Sequence, residues 1–81
     1  MTRETDPDPD ARGQRMLDWL LSNWLVLTAG TLVNWLREFH RLPRPTRHKL
    51  WIELARSLPK ASFKELKKIY REFIVNDEGG R

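Results

Sequence analysis

Apolar residues in this chain fall into four runs with helical spacing, divided by proline or glycine. Met16, Leu17, Leu20, Leu21, Trp24 and Leu27 recur at intervals that put them on one side of a helix, predicted over Ala11 to Leu27 with Asp10 as its cap. Gly13 weakens its first turn. In Thr28-Ala29-Gly30-Thr31 glycine suits a helix end and threonine suits the cap of the next start. The second helix then runs from Leu32 to about Leu42, with Leu32, Val33, Trp35, Leu36 and Phe39 inward and Arg37, Glu38 and Arg41 outward. It cannot continue, because Pro43 and Pro45 lack amide donors and push the residues before them into extended backbone. Leu42-Pro43-Arg44-Pro45 is therefore a stiff connector, and Thr46 is the expected cap of the third helix.

The third run holds Leu50, Trp51, Leu54, Ala55 and Leu58, and Pro59-Lys60-Ala61 breaks it from the fourth. There Phe63, Leu66, Ile69, Tyr70 and Phe73 share a face. Ser62 stands three residues before Glu65, the spacing of a capping box. Fraying is expected near Val75. The fold class is all-α: a compact bundle of four short helices in one domain over residues 11–75. Residues 1–10, with Asp6-Pro7-Asp8-Pro9-Asp10, read as a disordered acidic leader, and 76–81 as a disordered polar tail.

Trp19 to Leu36 carries no charge over eighteen residues, which is at the short limit for a membrane span. Asn23 and Asn34 would each need a partner in hydrocarbon, and Thr28 to Thr31 looks like a helix junction. Two short buried helices are the better description, and a membrane partner is not expected. The opening residues also lack the charged-then-apolar pattern of a secretory signal, so a cytoplasmic location follows by default.

Eighty-one residues without a cysteine leave neither disulfides nor thiolate metal sites. With only His40 and His48 as imidazoles, no metal or other cofactor is expected. Stability must come from a core rich in tryptophan (Trp19, Trp24, Trp35, Trp51) or from homo-oligomerisation. Trp19 and Trp35 lie toward the edges of their stripes; beside leucine at helical spacing both are expected in the core.

Charge changes the picture most. From Arg37 to Arg71 eleven basic residues face only Glu38, Glu53 and Glu65, a net of +8, while each end of the chain carries a net of −2. A basic middle between acidic ends is the footprint of a polyanion or of an acidic protein surface. Lys64, Lys67, Lys68 and Arg71 project to one side of the last helix, opposite its apolar face. His40 and His48 interleave with the arginines and read as surface residues rather than ligands or bases.

No hydrolytic triad, carboxylate pair, phosphate-binding glycine loop or metal cluster stands at recognisable spacing, and Glu53 and Glu65 are single acids beside bases. The expected function is therefore binding and not catalysis, with no small-molecule substrate. Helix, short turn and helix, with Leu54-Ala55, Leu58 and Ala61-Ser62-Phe63, resembles the helix-turn-helix plan, in which the last helix enters the major groove. Two features depart from that plan: Pro59 replaces the usual turn glycine, and Leu66 and Ile69 fall one place beyond the expected apolar positions. The exposed face also has no Asn or Gln to read adenine, so contact with the DNA or RNA backbone is expected in place of base reading. On this reading Lys64, Lys67, Lys68 and Arg71 bind the backbone, with Arg44, Arg47 and Lys60 at the rim. The alternative is a small inhibitor, adaptor or antiactivator that docks a basic, tryptophan-containing surface on an acidic partner protein.

Overall fold

The computed structural model describes residues 8–79. Four α-helices follow one another: α1 Pro9–Asn23, α2 Ala29–Arg41, α3 Arg44–Ser57 and α4 Lys60–Gly79, with one 3₁₀ turn, Trp24–Val26, between the first two. No strand occurs among the described residues. The fold is the expected all-α bundle of four helices. No described helix is long and apolar enough to cross a membrane, and the uncharged stretch from Trp19 to Leu36 is divided between α1, the 3₁₀ turn and α2.

All four helix starts differ from expectation, and proline is the cause at three of them. Pro9 occupies the first turn of α1, so Asp8 and not Asp10 is the cap; its carboxylate accepts the Asp10 amide at 3.4 Å. Pro43 takes the cap position of α3 and Pro45 lies within its first turn, where a missing N–H costs nothing. Thr46 is thus inside the helix and buried, and the connector shrinks to Leu42 and Pro43. The Pro59 carbonyl accepts the Phe63 amide at 2.9 Å, so α4 begins at Lys60 and Ser62 lies within it; the Ser62–Glu65 capping box does not form. Proline fixes φ near the helical value, which lets it start a helix without a side-chain cap.

Thr28 caps α2 by accepting the Thr31 amide at 3.2 Å, so α2 begins three residues before the expected Leu32. Gly30 then lies within its first turn with no positive φ, and ends no helix. Helix α4 continues to Gly79, past the expected fraying at Val75. Residues 1–7 of the acidic leader and 80–81 of the tail lie outside the described residues.

Leu20, Leu36, Phe39, Leu54 and Leu66 are fully buried, one or more from each helix. Helix α1 packs on α2 and α3, and α4 closes over α2 and α3. Gly13 is buried at the first of these contacts: an added Cβ would sit 2.6 Å from Leu50 Cδ1 and 3.1 Å from Thr46 Cγ2. Its role is close approach of α1 to α3. An aromatic chain runs through the core, with Trp35 stacked on Phe39 at 5.0 Å and Phe39 beside Trp51 and Tyr70, each at 5.8 Å. Trp35 is in the core, as expected, but Trp19 is 43% exposed. Ala55, placed in the apolar face by its spacing, is exposed as well.

Candidate functional site

Helices α3 and α4 put cations on either side of a groove. Arg44, Arg47 and His48 stand at i, i+3 and i+4 in the first two turns of α3, so they share one face. Lys67 and Arg71 stand one turn apart on α4 and form the opposite wall, continued by Ile74 and Val75. The floor is aromatic: Phe39 lies beneath, and Trp51 and Tyr70 are half-buried with ring centroids 5.2 Å apart. The groove is shallow and open to solvent, with a volume of about 530 Å³.

Arg47 is the anchored member of this set. Its Nη1 lies 3.2 Å from Nδ1 of His40, and the Tyr70 hydroxyl lies 3.2 Å from the same nitrogen. Arginine has only donors, so Nδ1 accepts from it. His40 is accordingly no free surface histidine; it is half-buried, edge-on to Tyr70 and Phe73, and ties α2 to α3 and α4. The Nε–H of Arg47 is buried without an acceptor among the described residues. Arg47 thus lines the groove with that N–H unsatisfied but closed off from solvent.

Four of the seven expected contact residues, Arg44, Arg47, Lys67 and Arg71, line this groove together. Lys60, Lys64 and Lys68 do not. They are exposed along α4 at four-residue spacing and form a row beside the groove. His48, expected on the surface near phosphate or solvent, is exposed and lines the groove, whereas Trp51 and Tyr70 were expected in the core alone. The signal for these last two was their position at the margin of each stripe, next to Leu50 and Ile69.

Outside this face four of the six described lysines and arginines pair with carboxylates, and Arg15 and Arg37 do not. Arg12 and Arg41 both bind Glu38, at 2.6 and 3.2 Å, Lys49 binds Asp10 at 3.1 Å, and Arg56 binds Glu53 at 3.3 Å. None of the seven candidate residues has a carboxylate partner among the described residues. No group of three metal-ligating side chains occurs among the described residues either. A surface of this kind can neutralise anionic groups and stack flat ones. The chain matches no protein-family model, no curated protein and no solved structure.

Proposed function

We propose that this chain is a small non-enzymatic regulatory protein that binds nucleic acid through its basic α3–α4 face. One observation carries the reading. Four cations line one groove from two helices and three more stand in a row beside it, none with a carboxylate partner among the described residues, while four of the six described lysines and arginines elsewhere are paired. An unpaired cation row costs the free protein self-repulsion, and a phosphate backbone relieves it while releasing condensed counterions. Lysines and arginines without Asn or Gln beside them suit backbone contact and not base reading. A cytoplasmic site of action belongs to the same proposal.

Fluorescence anisotropy with random duplex DNA and single-stranded RNA at two salt concentrations tests it. Binding that weakens steeply with salt supports a phosphate site. No binding at low salt overturns it.

The protein-docking alternative has an observation of its own: Trp19 is 43% exposed, and Leu25 and Val26 are 94% and 75% exposed in the 3₁₀ turn after α1. Aromatic residues of this kind anchor protein interfaces. If an acidic partner protein is the target, Trp19→Ala weakens binding more than any single lysine substitution.

A further inference from the structure

A duplex displays its phosphates on an outer rim and keeps its bases stacked inside. The exposed lysine row of α4 would be enough for such a target. The α3–α4 groove holds more than that: an open, shallow space of about 530 Å³ lined by the half-buried rings of Trp51 and Tyr70, tilted 39° to each other, and by cations from both helices. Flat π-faces flanked by guanidinium and ammonium groups are what bind a base that has left its stack, the aromatic ring taking the base and the cations its phosphates. A base inside a duplex cannot reach such a floor.

We propose that the α3–α4 groove takes an unpaired nucleobase of a single strand, an assignment that rests on the nucleic-acid reading above. The base stacks on Trp51 and Tyr70, and its flanking phosphates lie on Arg44 and Arg47 to one side and Lys67 and Arg71 to the other. Lys60, Lys64 and Lys68 then carry the next phosphates along α4. From Lys60 to Arg71 the helix advances about 16 Å at 1.5 Å per residue. A row of that length exceeds one nucleotide, so the ligand is a strand and not a mononucleotide. The shared chemistry of single-stranded RNA and DNA is what the groove recognises.

The test uses the full chain with four labelled probes: one sequence as single-stranded RNA, as single-stranded DNA, and each annealed to its complement. Anisotropy is read at two salt concentrations for the wild type, Trp51→Leu and Trp51→Phe, with helix content checked by circular dichroism. Single strands are expected to bind about tenfold tighter than duplexes, and Trp51→Leu to lose about tenfold on single strands alone with the salt slope unchanged. Trp51→Phe keeps most of the affinity, because it keeps a ring. Quenching of tryptophan emission by the unlabelled strand, lost in Trp51→Phe, gives the same answer without a truncated core residue. Equal binding of single strands and duplexes, with no quenching, overturns the base site and leaves the backbone reading standing. No binding to any probe overturns both. A preference between the RNA and DNA strands names the source of the base.

Discussion

The Thr46 hydroxyl donates to Oδ1 of Asp10 across 2.8 Å, joining the first turn of α3 to the first turn of α1. Lys49 Nζ reaches the other carboxylate oxygen at 3.1 Å. The hydrogen bond from Thr46 first, and then the bond and charge of Lys49, hold the Asp10 carboxyl below the usual carboxylate range, against a small opposing effect of burial. A carboxyl whose pKa is lowered by folding adds stability above its unfolded value, about 3.9, and loses it as pH falls through the folded value. Acid unfolding followed by circular dichroism should therefore become less steep below about pH 4 in Asp10→Asn. An unchanged acid limb in that variant would contradict the tie, and Thr46→Val should move the same way.

Two glycines in helices should respond to alanine with opposite signs. At Gly30 nothing lies within 4 Å of an added Cβ, so Gly30→Ala gains helix propensity and stabilises by about 0.5 kcal/mol. At Gly13 the same gain meets the buried Leu50 at 2.6 Å, and overpacking of about 1–3 kcal/mol outweighs it. Urea melts of the two variants read the sign directly.

Trp35 is 6% exposed, stacks on Phe39 and donates its indole N–H to the Met16 carbonyl at 2.9 Å. Trp35→Ala should cost about 3–5 kcal/mol, near the whole stability of a domain this small. Trp19→Ala, at a half-exposed position, should cost about 1 kcal/mol. Equal losses on thermal melting would mean that the two rings are not divided between core and surface.

On the nucleic-acid reading, cations already held by carboxylates should be silent. Arg56→Gln and Arg41→Gln should leave affinity and salt slope unchanged, because both side chains are paired with glutamates. Arg44→Gln or Lys67→Gln should each lower the log–log salt slope by about 0.7–0.9, one phosphate contact. A loss spread evenly over all four variants would point to net charge instead of a face.

The helices were legible because leucine and aromatic residues recur at three- and four-residue steps, as with Leu50, Leu54 and Leu58 or Phe63, Leu66 and Tyr70. Their starts were not, because side-chain caps at Thr46 and Ser62 compete with prolines one to three residues earlier, and the prolines win. Basic residues of the candidate face could be listed from the sequence. Their grouping could not: periodicity fixes which residues oppose the apolar stripe, but not which flank of α4 turns toward α3. Lys67 and Arg71 therefore join Arg44 and Arg47, while Lys60, Lys64 and Lys68 stand outside. Trp51 and Tyr70 escaped notice as groove residues for a related reason, since a ring at the edge of a stripe serves the core with one side and the surface with the other.

The unpaired cations of α3 and α4 also set how the free protein responds to its solvent. Like charges held together by the fold repel one another, and salt screens that repulsion over about 10 Å at 0.1 M. Added salt should thus raise the melting temperature of the free chain over the same range in which it loosens a bound polyanion. On the nucleic-acid reading, salt and ligand compete for one role, neutralising a face that folding itself has crowded. Substituting Lys67 or Lys68 by Ala should make the chain more robust in dilute buffer and, on the same reading, less able to bind, so that persistence and binding would pull one helix surface in opposite directions.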